Sequence, residues 1–283
     1  FMYACSLKFC VCTYACKHVR MWVLPDGILS EDFLAHRWNA ATGEQVSEIV
    51  FPSRHFASSG RPSLTLHPIG ITHLDADVIP PYGGKSGDAP PPSPRLSSWW
   101  KELLLVTEKA ELGQEFDVSL EVTHHGPWVT VPCLFIEVGS TSETWGHKGA
   151  AKLLADIIHR GLGLDDGSGF GDWNPIYDTG SPVLITLGGG HYAPRANSLG
   201  AEKGLRIGHM LATYALPFVQ PMEVGGEPGG NWKQSINAVF QSTKKAFPGG
   251  EIIFSMDKKA FKGWQRQAIR DHLITLNAPL LNS

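Results

Sequence analysis

The chain has 283 residues, of which 42% are hydrophobic and 18% charged, and a formal net charge of −3. This length suits one large α/β domain or two smaller ones with a buried core. No apolar run approaches the roughly 20 residues that span a bilayer, so we expect no membrane contact. This net charge excludes a protein that binds nucleic acid through an overall basic surface. A polyanionic partner would have to bind a local basic patch.

The first 18 residues differ from the rest of the chain. They contain no acidic residue and hold four cysteines, namely Cys5, Cys10, Cys12 and Cys16. The cysteine spacing fits no paired zinc signature, and a targeting remnant and a fragment boundary are two open interpretations. We therefore separate an atypical segment over 1–18 from a single domain over 19–283. Because Cys133 is the only other cysteine, no disulfide framework is predicted, which favours a reducing, cytoplasmic location.

From residue 19 onwards, apolar periodicity and turn residues predict alternating strands and helices. Strands are predicted at 19–25, 48–55, 61–68, 115–122, 131–139, 181–187 and 251–256. Helices are predicted at 30–43 (capped by Ser30), 96–113, 140–163, 204–216, 231–247 and 261–277. Residues 80–95 are rich in Pro and Gly and predict a long loop. The alternation predicts a three-layer α/β/α sandwich with a mixed, mostly parallel sheet.

Two glycine-rich stretches imitate nucleotide-binding motifs without their context. In GGKSG (83–87), Ile79 stands where a phosphate loop needs its first glycine. GGGHYA (188–193) fits the dinucleotide pattern but runs straight into Pro194, with no βαβ unit around it. Neither stretch predicts a nucleotide cofactor.

The same glycine run has two other interpretations. It either forms a tight turn where a helix packs closely, or it offers the bare N–H groups of Gly189 and Gly190 to an oxyanion. Arg195 follows a few residues later and either holds a phosphate or carboxylate or is solvated. The sequence leaves both choices open.

Histidines recur at or just beyond predicted strand ends, beside Gly or Pro: His55, His67, His124, His125 and His191. In open α/β sheets, ligands gather at the carboxyl ends of the strands, where neutral imidazole is a common metal ligand. Glu137 closes the strand after EVTHHGP and offers a carboxylate on the same rim. A single histidine at a strand end is often a hydrogen-bonded structural residue, and no self-contained zinc signature such as H-E-x-x-H is present.

A basic stretch near the C-terminus, KKAFKGWQRQAIR, has no acidic residue and interleaves aromatic side chains with Lys258, Lys259, Lys262, Arg266 and Arg270. Such a patch can bind a phosphate backbone while its aromatics stack on bases. The alternative is a solvated helix face with its aromatic residues buried underneath, which composition alone favours slightly.

Several longer motifs occur in order between about Val19 and Leu276: SRHFASSGRPSLTLHPIG, EVTHHGP, FIEVGST, GGGHYAPR, GHM, FPGGEI and FKGWQ. Together they resemble the second type of D-aminoacyl-tRNA deacylase, found in archaea and plants, and are closer to the plant-like members. The resemblance implies a phosphorylase/hydrolase-like fold, a zinc-dependent monomer, and hydrolysis of the ester that joins a D-amino acid to the 3′ end of tRNA. Residues 1–18 fall outside the resemblance.

We therefore expect metal-assisted ester hydrolysis, with zinc held by some of the strand-end histidines and Glu137 as base or as a carboxylate that orients a ligand. Strand alternation predicts that His125 faces Glu137 while His124 lies behind it as a structural partner or second ligand, unless Gly126 and Pro127 bring both round. His209 either faces this site or packs in the core. Charged tRNA is the expected partner; a hydrolase of other acyl substrates and a non-catalytic tRNA-binding module are the alternatives.

Overall fold

A computed structural model describes residues 10–12, 19–24, 27–165, 167–223 and 225–281. The predicted segment boundary at residue 18, and residues 1–9 and 13–18, lie outside the described residues. The strands are β1 (Cys10–Cys12), β2 (Met21–Val23), β3 (Ile49–Arg54), β4 (Ser63–His67), β5 (Asp117–Leu120), β6 (Cys133–Gly139), β7 (Pro182–Leu187), β8 (Arg206–Leu211) and β9 (Glu251–Met256). The helices are α1 (Leu34–Thr42), α2 (Leu96–Lys109), α3 (Ser142–Trp145), α4 (Lys148–Gly161), α5 (Pro194–Lys203), α6 (Trp232–Ala246) and α7 (Gly263–Thr275).

The strands form two larger sheets, ordered β3-β6-β4-β5 and β8-β7-β9, and a small β1-β2 pair. Parallel pairing joins β3 to β6, β4 to β5, and β7 to both β8 and β9, whereas β4 runs antiparallel to β6. The prediction of a mixed, mostly parallel sheet is therefore confirmed.

Successive side chains of a strand point to opposite faces of the sheet, so each sheet packs against helices on both faces. On β6, Leu134 and Ile136 pack with the buried side chains of α2 and α4, whereas Phe135 faces the other way, towards Leu34 of α1. On the second sheet, Ile185 packs against α6 and α7. Helices thus cover both faces, as the predicted three-layer sandwich requires.

The largest error in the predicted elements concerns residues 204–216. They were expected to be helical, but residues 206–211 form β8, which pairs with β7 and is buried along almost its whole length. A short apolar run that is buried on both faces carries no period-2 signal, so periodicity does not separate it from a buried helix. The error matters because it misplaces His209.

Helix starts also differ from the predicted ones. The first helix begins at Leu34, after Phe33, and Ser30 lies in a preceding 3₁₀ turn. The predicted helix over 140–163 is two helices, the first capped by Thr141 and the second by the His147 side chain, which accepts a hydrogen bond from the Ala150 N–H. Caps are chosen by the local backbone path, which the sequence pattern does not fix.

The chain that follows β5 joins the two larger sheets. Glu121 N–H still donates to Leu66 O of β4 (3.0 Å), but Thr123 N–H donates to Met210 O of β8 (2.7 Å), and Val122 N–H to His191 O (2.9 Å). EVTHHGP is therefore the seam between the sheets. This position brings histidines from both sheets together.

Candidate active site

The pair His124–His125 has an unexpected conformation. Regular strand geometry would put the two side chains on opposite faces. At His125, however, the backbone adopts φ 40, in the left-handed region that non-glycine residues seldom occupy. Both imidazoles consequently lie on one side, with ring centroids 4.3 Å apart, and both contact the ring of His67. A strained backbone at such a place is typical of a functional site.

These three histidines, His67, His124 and His125, form what we call the imidazole triad. In each ring Nδ1 faces a backbone carbonyl: Pro68 O at 3.0 Å, Val122 O at 2.7 Å and Gly126 O at 2.6 Å, respectively. Because a carbonyl only accepts hydrogen bonds, each Nδ1 carries the proton and donates it. In the neutral form of each ring, Nε2 then keeps the lone pair, and one ring nitrogen from each of the three lies within 4.8 Å of the others.

Two buried carboxylates, Glu121 and Glu137, lie beside the triad and are called the carboxylate pair. Glu121 is fully buried, and its Oε2 lies 3.2 Å from His191 Nε2 and 3.7 Å from His124 Nε2. Glu137 Oε2 lies 3.5 Å from both His55 Nδ1 and His67 Nε2. His55 Nδ1 also approaches Glu121 Oε1 at 3.2 Å, although the geometry gives that oxygen no hydrogen bond.

The strand topology explains why these groups meet. Glu137 is an interior residue of β6, opposite Ser53 of β3 on one side and Thr65 of β4 on the other. Since β4 runs antiparallel to β6, His55 and His67 approach Glu137 from opposite ends of the strand. The expectation of a single rim of parallel strand ends, with Glu137 closing its strand, is therefore wrong, although the residues do converge.

The electrostatics divide the cluster. Burial raises the pKa of Glu137, but its contacts with His55 and His67 outweigh this and hold the pKa at about 2. Burial likewise raises the pKa of Glu121. The hydrogen bond with His191 and the charges of His67 and His55 outweigh this, so the pKa is lowered. Conversely, burial lowers the pKa of His55 and His67, but the carboxylates more than compensate and raise both. The buried carboxylates therefore favour the protonated form of these two imidazoles, and the imidazoles favour the anionic form of the carboxylates.

The other two triad rings are kept neutral. Burial, then the neighbouring imidazoles, lower the pKa of His124 well below its ordinary value. Burial and His67 lower the pKa of His125 to about 4. Neutral imidazole is the form that ligates a metal.

The residues fit a divalent metal. A metal-bound histidine usually donates its second ring N–H to a carbonyl or carboxylate, which is the arrangement of all three triad rings. His67 Nε2 and Glu121 Oε1 are buried and have no hydrogen-bond partner among the described residues, so both atoms could ligate a metal when the His67 ring is neutral. A +2 ion would also compensate the negative charge of the two buried carboxylates.

Other predicted residues take different places. His209 is fully buried in β8, where Nδ1 meets Thr123 Oγ1 and Nε2 meets Ser242 Oγ, both at 2.9 Å. It lies behind the seam and is a core residue by its contacts. Burial lowers its pKa to about 3.

The glycine run is only partly available to an oxyanion. Gly188 N–H donates to Leu211 O, and Gly189 N–H donates to Thr213 Oγ1. Of these three glycines, Gly190 is the one whose N–H has no hydrogen-bond acceptor among the described residues. A Cβ at Gly188 would lie 2.6 Å from the Phe261 ring, so this glycine serves close packing.

The basic stretch is less regular than predicted. Lys258 and Lys259 lie in an exposed 3₁₀ turn, and Lys262 is the exposed residue before α7. Arg266 donates to the carbonyls of Lys258 and Phe261 and so holds this turn together. We call residues 258–262 the basic turn; it packs against Gly188, beside the loop that carries His191.

Two more cations are partly buried, Arg195 and Arg270. Arg195 Nε donates to Ser255 Oγ of β9 at 2.6 Å, which gives it a structural contact. The aromatic residues of the stretch pack inwards: Phe261 is buried, and Trp264 meets Phe218 edge to face.

Two residues of the cluster escaped the sequence-based search. Glu121 is three residues before His124, and an acidic residue at a buried strand end was the available signal. Tyr192 directly follows His191, and its hydroxyl lies 3.4 Å from His55 Nε2. No sequence pattern indicated this contact.

Comparison with known proteins adds independent information. The family model described as D-aminoacyl-tRNA deacylase matches residues 42–281. A D-aminoacyl-tRNA deacylase of Arabidopsis thaliana is 44% identical over 267 residues, covering 92% of this chain and 84% of that protein. One from Aeropyrum pernix is 29% identical over 82% of this chain and 74% of its own length. A crystal structure of a conserved protein of unknown function superposes with a TM-score of 0.70 at 23% identity, covering 97% of this chain and 86% of its own.

Proposed function

The chain belongs to the D-aminoacyl-tRNA deacylase family, and we propose that it hydrolyses the ester bond of D-aminoacyl-tRNA at the imidazole triad and carboxylate pair, with the help of a bound metal. The observation that carries the site assignment is the triad itself: three imidazoles whose Nδ1–H groups are committed to carbonyls beside two buried carboxylates. Such an arrangement is expensive to bury and is unusual in a purely structural core.

The triad residues His67, His124 and His125 would hold the metal. When bound there, zinc supplies Lewis-acid polarisation of the ester carbonyl and a lowered pKa for water. His191 and His55 instead face the carboxylate pair, so we assign them to orienting the two glutamates. This narrows the five histidines proposed from sequence to three ligands.

Glu137 is the proposed acceptor for the proton of the attacking water. Its low pKa keeps it anionic at neutral pH, so it orients the water by accepting a hydrogen bond. Glu121 fixes His191 and approaches His124. The Gly190 N–H is the candidate donor to the oxyanion, since its two neighbours are already engaged.

The basic turn is the proposed contact for tRNA phosphates. It lies beside the glycine loop that leads to His191, so phosphates bound there would be close to the ester. Lys258, Lys259 and Lys262 are exposed, whereas Arg266 holds the turn together and would act indirectly. Among the described residues no helix combines the length and apolarity needed to cross a bilayer. We propose a cytoplasmic monomer, which acts where charged tRNA is used.

Hydrolysis of matched D- and L-aminoacyl-tRNA, with and without a chelator, tests the proposal. We expect rapid release of the D-amino acid, much slower release of the L form, and loss of activity on chelation that added zinc restores. Turnover of a free amino-acid ester as fast as that of charged tRNA would indicate a general acyl hydrolase. Tight tRNA binding without turnover or metal would indicate a binding module.

A further inference from the structure

Tyr192 lies at the outer edge of the site. It follows His191 directly, is 37% exposed, and sets its ring edge-on to His191 and to His55. Its backbone is held in place, because Tyr192 O accepts hydrogen bonds from Asn197 Nδ2 (2.7 Å) and Ser119 Oγ (3.3 Å). A fixed, half-open phenol can present its hydroxyl to a molecule entering from solvent.

His55 connects this hydroxyl to the buried carboxylates. Its Nδ1 faces Glu121 at 3.2 Å and Glu137 at 3.5 Å, and its Nε2 faces Tyr192 Oη at 3.4 Å. This differs from the imidazole triad, whose Nδ1 atoms meet backbone carbonyls. When His55 is protonated, its Nδ1–H is directed at the carboxylates and its Nε2–H at the phenol oxygen, which also shares a hydrogen bond with Ser59. The Tyr192 O–H can then donate to a bound substrate.

We propose that Tyr192 is a catalytic residue that donates the proton to the departing ribose oxygen of the tRNA terminus, with His55 as the positioning residue behind it. The inference rests on the proposed function. An alkoxide is a poor leaving group, so a donor at this oxygen speeds the breaking of the ester C–O bond.

The protons of this step are exchanged among the attacking water, Glu137, Tyr192 and His55. The attacking water adds its oxygen to the acyl carbon and gives one proton to Glu137. As the C–O bond breaks, its electron pair goes to the ribose oxygen, which takes the Tyr192 proton, and His55 Nε2–H restores the phenol. Glu137 and His55 end the turnover uncharged, and exchange with solvent restores the ion pair.

Tyr192→Phe tests the role, since it removes only the hydroxyl of a partly exposed ring. We expect kcat for D-aminoacyl-tRNA to fall about 100-fold while KM stays within about twofold. Tyr177→Phe is the matched control: Tyr177 is an exposed tyrosine in the segment that precedes β7. Its kcat should be unchanged, and thermal unfolding should show that both variants fold.

The leaving group separates this role from simple binding. On the p-nitrophenyl ester of the same D-amino acid, whose leaving group departs as a stable anion, Tyr192→Phe should match the wild-type rate. Full kcat on tRNA, a defect confined to KM, or an equal loss on both esters would overturn the inference while the wild type remains active. A wild type without deacylase activity would instead overturn the proposed function.

Discussion

The imidazole triad lies in one cluster with two further histidines, His55 and His191, which face the carboxylate pair. The ring nitrogens of the two groups have different partners. Each triad ring donates Nδ1–H to a backbone carbonyl, so the neutral ring carries its lone pair on Nε2. His55 and His191 instead turn a ring nitrogen towards Glu121 or Glu137. The partner of Nδ1 therefore separates the three proposed ligands from His55 and His191, although all five residues were equivalent in the sequence.

The largest expected effect falls on the triad. His124→Ala and His67→Ala should each lose bound metal and slow deacylation on the order of 1000-fold, since a ligated metal supplies several kcal/mol to the transition state. Metal content by elemental analysis and single-turnover hydrolysis measure both effects. His159→Ala, on an exposed position of α4, is the control and should keep metal and activity.

If the triad variants kept full metal content, the distinction between the two groups of histidines would fail. His191→Ala provides the opposite comparison, because it should retain metal while losing activity. Metal loss in His191→Ala would add this residue to the ligand set.

A smaller effect is expected for Glu121→Gln. The amide keeps the shape of the buried side chain but loses the negative charge that His55 and His191 face. Activity should fall about 10- to 100-fold with the metal retained, which is the range for residues that orient a metal ligand. Unchanged activity at full metal content would show that the carboxylate pair is structural on the Glu121 side.

His209 represents a third use of histidine, as a neutral core residue between two hydroxyl groups. Its folded pKa is about 3 against an ordinary 6.5, so between these values the unfolded chain binds a proton that the folded chain does not. Stability should therefore fall as pH drops below about 6.5, with His209 contributing about 1.4 kcal/mol per pH unit.

Urea unfolding at pH 5 and pH 7 measures this dependence. His209→Gln keeps hydrogen-bonding capacity without the titration, so its stability should change less between the two pH values, while its metal content matches the wild type. An unchanged difference would show that His209 titrates in the folded protein as it does in water.

The smallest effect is expected at the basic turn. Lys262→Ala should raise KM for charged tRNA a few-fold, leave kcat unchanged, and reduce the salt slope of binding by roughly one counterion. Lys152→Ala, an exposed lysine of α4 paired with Asp156, is the control. Identical salt slopes for both variants would show that the basic turn is a solvated surface that does not contact tRNA phosphates.

Much of the fold could be read from the sequence because most strands and helices carry their own periodic pattern. β6 and α6 were predicted close to their real extents for this reason. β8 was not, because its buried residues RIGHML look alike on both faces. The position of His209 followed that error, since a helix and a strand point the same side chain in different directions.

The sequence predicted most of the residues of the candidate site, but not how they are arranged. His55, His67, His124, His125 and His191 do converge, and sequence patterns alone marked their strand-end positions. Glu121 was missed because a single acidic residue before a histidine pair carries no pattern of its own. Tyr192 was missed because its contact with His55 joins segments that lie 137 residues apart.

By itself, then, the sequence determined which side chains were available and which strands would carry them, because local periodicity and turn chemistry act over a few residues. Only the tertiary structure decided how those side chains face one another. The antiparallel β4 brings His67 over Glu137, the seam joins His191 to Glu121, and the left-handed backbone at His125 brings both neighbouring imidazoles to one side. Each of these depends on long-range pairing, which no local pattern encodes.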